Sequence, residues 1–422
     1  MPIRHLAENR FVFADFHLGE GKKNNMELFI DDDIFVSAED KIMENHAGEN
    51  NVLVLLGDFF DFLAVEYRKR ILAEPTEVSA HEKLQKIIAA HPKVMAALQK
   101  FLAQGKIKFF TGNHDLDLRW PSVQLAIKQK LAEKFRGLTD TGYSQAMERV
   151  EFIEEETKNG VLFIHGNNGE AIHALPDEKF ITSHLGRPLP EPLLNIPYGN
   201  HIAADLGKKL AHGSLLCKGN RWVGRLEPHW YIYAESFWKN WKSRWFGLCA
   251  FTMLLLTPLR HFFSRRWWVR KSASFWTLFR ANFEAMILTA INLLRGRDYT
   301  HYPLQILKDN QHIDIIFIGH IHEFRHMVDK HGTIIFPGNW CTTYDVQFPT
   351  PTLTWKRWRS AERVIKFFWA MRKMFSPETR HLYKPKKREL YSFGVCKFFD
   401  DGYKEVELMR YNPKKDCLEK IN

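Results

Sequence analysis

Five short motifs hold the residues best suited to chemistry in this chain. They are Asp15-Phe16-His17, Gly57-Asp58-Phe59-Phe60-Asp61, Gly112-Asn113-His114-Asp115, His165-Gly166-Asn167 and Gly319-His320-Ile321-His322. Asp15, His17, Asp58, Asn113, His165, His320 and His322 are seven potential metal ligands. Carboxylate, imidazole and amide-oxygen ligands together suit two divalent cations held a few ångströms apart. Asp15 and His17 alternate by one residue, so both can turn towards one site at a frayed strand end. Asp58 follows a strand and a glycine, which lets the backbone turn sharply and offers its carboxylate to both ions. Asn113 supplies a neutral oxygen that limits excess negative charge, and the three remaining histidines complete the shell. Gly57, Gly112, Gly166 and Gly319 beside the ligands fit close backbone approach.

Each motif has an ordinary explanation when taken alone. Asp-x-His after a strand is mostly a turn, and Gly-Asp-x-x-Asp is a common helix N-terminus with Asp58 as the cap. Gly-Asn-His-Asp is a good turn sequence, and His165 could be a satisfied core histidine. Gly-His-x-His is more telling, because two histidines at strand spacing have few structural uses. In this order and each at a strand end, all the ordinary explanations would have to hold at once. The joint reading is a two-metal phosphoesterase.

The motifs need elements to position them. Residues 11–14, 51–56, 108–110, 161–164 and 313–318 are short apolar runs, each ending at a motif. Continuous apolar character predicts strands covered on both faces. Residues 25–45 and 80–104 read as helices between them. This is an α/β rhythm, in which functional groups collect beyond the carboxyl ends of the strands. After His322, residues 324–329, 333–337, 391–399 and 403–411 resemble antiparallel strands joined by tight turns. The expectation is a two-sheet sandwich flanked by helices.

The ordered series Asp15-x-His17, Gly57-Asp58-x-x-Asp61, Gly112-Asn113-His114-Asp115, His165-Gly166, Gly319-His320-x-His322 resembles the calcineurin-like metallophosphoesterase superfamily over about residues 10–345. The resemblance implies an α/β/β/α sandwich with a large helical insertion. It implies one ion on Asp15, His17 and His322, and a second on Asn113, His165 and His320, with Asp58 bridging both. His114 would face the leaving group, oriented by Asp61, while a water activated between the ions attacks phosphorus in line. Manganese is the first expectation for the ions, and iron or zinc also suit these ligands. One departure is Asn167, where relatives often carry Asp or His.

Charge lies outside the motif frame. Residues 201–310 hold 17 Lys and Arg against 6 Asp and Glu, an excess equal to the net charge of the whole chain, +11, together with eight of the 13 Trp. A second basic, aromatic segment covers residues 353–389. The expected organisation is therefore a catalytic domain from residues 1–200 and 311–422, interrupted by these two insertions. Residues 245–259 contain no charged side chain but include Pro258. Fifteen residues fall short of the roughly 20 that a membrane span needs. Flanked by Trp, Lys and Arg, this run has the composition of an interfacial helix pair. Residues 275–294 and 355–375 read as further amphipathic helices.

Three readings of these segments compete. They are a self-packed helical subdomain, contact with an anionic membrane surface, and nucleic-acid binding through basic and stacking side chains. The membrane reading leads, because stacking on bases does not require the apolar run. The branch of the superfamily that acts on UDP-diacylglucosamine is similar in inserting helices near this position and working at the membrane surface. Its members often carry Arg where His114 stands, and their inserts are shorter. The leading expectation is hydrolysis of a phosphate ester or pyrophosphate, on a phosphorylated small molecule or a lipid-linked substrate. A nuclease of the same superfamily and a non-catalytic metal-binding scaffold are the alternatives. Cys217, Cys249, Cys341, Cys396 and Cys417 are odd in number and lack C-x-x-C spacing, which suits a reducing compartment. With no apolar leader at the N-terminus, the expected location is cytoplasmic, peripheral to the inner face of the membrane.

Overall fold

The computed structural model describes residues 4–21, 27–48, 50–67, 75–136, 140–170, 173–184, 187–197, 200, 225–227, 299–345, 386–387 and 390–421. The chain is a mixed α/β protein. Parallel strands β1 (Leu6–Phe13), β2 (Asn51–Leu55), β3 (Gly105–Phe110) and β4 (Val150–Ile153) supply four of the seven strands of a first sheet. Glu154 alone separates β4 from β5 (Glu155–Lys158), which pairs antiparallel with β6 (Val161–Ile164) in a second sheet. A hairpin of β7 (Phe180–His184) and β8 (Arg187–Leu194) follows, then the short β9 (Arg225–Glu227).

The second sheet is completed by β10 (Ile315–Ile318), β11 (Phe324–Asp329) and β12 (Gly332–Pro337) in the order β11-β12-β10-β6-β5. Strand β10 runs parallel to both β6 and β12, and β11 runs antiparallel to β12. After β13 (Thr343–Asp345) and β14 (Lys386–Lys387), the strands β15 (Tyr391–Phe399), β16 (Lys404–Asn412) and β17 (Cys417–Lys420) extend the first sheet. Its order is β17-β16-β15-β1-β2-β3-β4, with β15 antiparallel to β1. Both portions of the split frame therefore contribute to both sheets.

Core packing shows how the layers lie. Val12, Val52, Val54 and Phe110 of the first sheet share one buried cluster with Val161, Phe163, Phe317 and Ile335 of the second. Helices α1 (Asp32–Asn45), α2 (Glu77–Ala90), α3 (Pro92–Leu102), α4 (Pro121–Ala132) and α5 (Asp140–Glu148) cover much of the first sheet's other face, where Phe35, Leu84, Leu98 and Val123 meet Phe11, Phe13, Leu55 and Phe109. Helix α6 (His301–Asp309) places Leu307 against Ile316, Ile318 and Ile334 of the second sheet. This layering is compatible with a two-sheet sandwich. Arg10 of β1, buried and lying over the Phe163 ring, pairs with Glu156 of β5 at 2.7 Å and ties the sheets together.

Some boundaries differ from the sequence reading. The helix expected over residues 25–45 begins at Asp32. The one expected over 80–104 is two helices, because Pro92 disfavours helical backbone at His91 and then starts α3 at its first turn. Residues 299–309, grouped by charge with the first basic segment, belong with the second sheet. The helices read over 245–259, 275–294 and 355–375 lie outside the described residues. Among the described residues, no helix is long and apolar enough to cross a membrane.

Candidate metal centre

The five motif-bearing strands deliver their carboxyl ends to one place. Asp15 and His17 follow β1, Asp58 follows β2, Asn113 and His114 follow β3, His165 follows β6, and His320 and His322 follow β10. Three overlapping groups result, each with ligand atoms mutually within 4.8 Å: Asp15, His17 and His322; His17, Asp58 and His114; and Asp58, His165 and His320. Asp58 and His17 each belong to two groups.

The backbone is bent to achieve this. Among the described residues only seven non-glycines have positive φ, and five are Asp15 (55°), His17 (57°), Asp58 (51°), His320 (72°) and His322 (56°). Left-handed backbone at a non-glycine costs on the order of 1–3 kcal/mol and persists only where the surroundings impose it. Hydrogen bonds between the loops impose it here. The His17 N–H donates to the Asp58 carbonyl at 2.8 Å, and the N–H groups of Trp340 and Cys341 both donate to the Asp15 carbonyl. Asp115 joins two motifs, its carboxylate accepting from the Gly112 N–H at 2.6 Å and the Phe59 N–H at 3.0 Å. Glycine is required twice. A side chain at Gly57, whose φ is 83°, would collide with the His165 ring, and one at Gly112 would strike the Asp58 carboxylate.

Individual contacts define the donor set. Asp58 Oδ2 lies 3.3 Å from His165 Nε2 and 3.7 Å from His17 Nε2, while its Oδ1 accepts the His114 N–H at 2.8 Å. His17 Nε2 faces His322 Nε2 at 3.1 Å, and His322 Nε2 is 3.5 Å from Asp15 Oδ1. The outer ring nitrogens are also occupied. His17 Nδ1 meets Asp61 Oδ2 at 3.2 Å, His165 Nδ1 donates to the Leu56 carbonyl at 2.9 Å, and His322 Nδ1 lies 3.3 Å from Cys341 Sγ. Metal-binding histidines are held in this way, with the second nitrogen hydrogen-bonded so that the first presents its lone pair.

Among the buried polar atoms with no hydrogen-bond partner is Asn113 Oδ1. Leaving a buried polar atom unsatisfied costs about 1–3 kcal/mol, and a divalent ion would take it up. The donor set thus fits a divalent metal.

Electrostatics agree with that fit. Burial opposes charge on Asp58, but His165 and His114 outweigh it and hold the carboxyl well below its usual range. Asp61 is also held low, with His114 and then His17 overcoming burial. Burial lowers the pKa of His17 and of His320, favouring the neutral imidazoles that bind metal. His165 goes the other way: burial lowers it, yet Asp58 and Asp15 prevail and lift it to about 10. At neutral pH the metal-free site therefore keeps a proton on His165 that an entering ion must expel. Affinity for a divalent ion at this group is expected to fall about tenfold per pH unit as pH drops through neutrality, with one proton released from His165. Calorimetric titration in buffers of different ionisation enthalpy measures that proton, and affinity independent of pH would contradict the assignment.

Six of the seven sequence-expected ligands, Asp15, His17, Asp58, His165, His320 and His322, are thus brought to this centre with His114 and Asp61, and Asn113 precedes His114 with its side-chain oxygen buried. His114 Nδ1 is 2.9 Å from Asp61 Oδ1, and the His114 side chain is 21% exposed while Asp15, His17, Asp58, His165 and His322 are at most 3% exposed. Two points were not legible beforehand. Asp61 serves His17 as well as His114, and His114 lies within ligand reach of His17 and Asp58. Sequence reasoning also gave no role to Asp115, Glu170, His173 or Cys341. For Asp115 the signal was available, since it closes a quoted motif; the other three lie outside the motifs. No protein-family model, curated protein sequence or solved structure matches the chain.

Proposed function

We propose that the protein is a two-metal hydrolase of phosphate esters or anhydrides, with a fold of the metallophosphoesterase type. The observation that carries this reading is the chain of three ligand groups linked through His17 and Asp58, built on strained backbone. Overlap of that kind suits a pair of ions sharing a carboxylate. Asp15, His17 and His322 would hold one, and Asn113, His165 and His320 the other, with Asp58 between them. Bound ions would activate water near neutral pH and offset charge on the phosphoryl oxygens.

The remaining work falls to this chain's side chains. Asp61, kept ionised, accepts the Nδ1 proton of His114, which makes Nε2 the atom to hand a proton to the leaving-group oxygen. Partial exposure of His114 suits contact with substrate, whereas the ligands are shielded.

A lipid-linked or otherwise amphiphilic phosphate at an anionic membrane surface is the proposed substrate. Strand β13 begins one residue after Thr342, beside the Asp15 loop, and pairs on one side with β9 from the first basic segment and on the other with β14 from the second. Residues 225–227 and 386–387 of those segments thus pair with a strand that begins two residues after Cys341, whose N–H donates to the Asp15 carbonyl. The test is hydrolysis of a soluble aryl phosphate and of a phosphate lipid in anionic vesicles, before and after chelation. Loss of both activities on chelation and recovery with manganese are expected, with the vesicle substrate preferred. Chelator-resistant turnover would refute the metal mechanism. Turnover of single-stranded DNA alone would favour the nuclease alternative.

A further inference from the structure

The loop after His165 reaches back over the ligand group that contains His320. Glu170 Oε2 lies 3.2 Å from His320 Nε2. His173 packs its ring 5.5 Å from that of His320, and its Nε2 is 3.7 Å from the same carboxylate oxygen. The loop is held by its own bonds: Gly169 N–H to the Gly166 carbonyl, Glu170 N–H to that of Asn167, and His173 N–H to that of Glu170. Asn167, the residue that departs from the expected pattern, donates its Nδ2 to the His173 carbonyl at 2.8 Å, and Asn168 accepts the Leu175 N–H at 2.9 Å. Tyr299 adds a hydroxyl bond to the Gly166 carbonyl. These bonds tie the loop up in presenting Glu170.

We propose that Glu170 is a positioning residue that orients His320 for the second ion, an inference that rests on the two-metal reading. Its carboxylate accepts the Nε2–H of His320, which keeps the proton on that nitrogen and turns the Nδ1 lone pair to the ion. His320 differs here from His17, His165 and His322, whose outer partners contact Nδ1. The other three are backed by a carboxylate, a main-chain carbonyl and a thiol within the motif frame or the segment next to it. Glu170 lies three residues beyond the His165-Gly166-Asn167 motif, and its side chain is 43% exposed.

The test compares wild type, Glu170→Gln and Glu170→Ala in manganese titrations, with bound metal counted after dialysis. Glu170→Ala should keep the first ion and bind the second about 10–100-fold more weakly. Glu170→Gln retains an acceptor oxygen and should recover most of that loss. Nitrogen-15 spectra of the metal-free protein give a second readout that loop damage alone would not produce. Wild-type His320 should show a single Nε2–H tautomer, and Glu170→Ala a mixture. Wild-type affinity for both ions in Glu170→Ala, or an unchanged tautomer, would overturn the proposal. A wild-type protein that bound no manganese would sink the two-metal reading and this inference with it, so the two failures are told apart.

Discussion

Asp58→Asn is expected to empty both ion positions and to lower kcat/KM by about a thousandfold or more, a loss of about 4 kcal/mol in transition-state stabilisation. Asp58 is shared by two of the three ligand groups, so under the proposed two-metal reading its charge would be lost from both ions. The substitution is nearly isosteric, and the amide oxygen can still accept the His114 N–H that Oδ1 holds at 2.8 Å. The fold should therefore survive, and a circular dichroism spectrum and melting curve check this. Without the carboxylate, His165 loses the main partner that raises its pKa, so that pKa should fall in the variant. Metal analysis beside the hydrolysis assay reads the result. Two ions bound at wild-type affinity would remove Asp58 from the bridging position.

His114→Ala is expected to behave in the opposite way, with turnover lost and metal kept. General acid catalysis is worth about 10²–10⁴-fold, and the loss should depend on the leaving group. An alkyl phosphate, whose departing oxygen needs a proton, should show most of it, and a nitrophenyl phosphate little. The same variant decides between two roles that the geometry permits, because His114 lies within ligand reach of His17 and Asp58 as well as against Asp61. Loss of an ion from His114→Ala, with a similar rate loss on both substrates, would make it a ligand rather than the acid. Substitution of Asp61 is less informative. It also holds His17 Nδ1 at 3.2 Å, so its removal disturbs a ligand and the acid together.

Much of the frame was legible in the residues. The apolar runs before each motif are strands buried along most of their length, such as the wholly buried β2 and β6. Strands β4 and β5 were missed because residues 150–158 alternate apolar or exposed-polar positions without a continuous apolar run, and both are sheet-edge strands with little burial. The break at Pro92 is readable from the proline itself, although the longer apolar period argues for one continuous helix. Positive φ at Asp15, His17, Asp58, His320 and His322 is signalled only weakly by residue type, since Asp and His are enriched there but only glycine adopts it freely.

The sequence by itself determined which atoms are available for metal and acid–base chemistry, and that each follows a strand. Those are local properties, set by side-chain type and by a few residues of hydrophobic pattern. Tertiary structure alone decided which ligands meet. His17 and His322 face each other across 305 residues because β1 and β10 belong to different sheets whose strand ends converge. It also decided that Asp61 has two partners and that Glu170 stands behind His320. Such contacts depend on strand register, on the switch between sheets at Glu154 and on loop geometry, none of which is written in the spacing of the motifs.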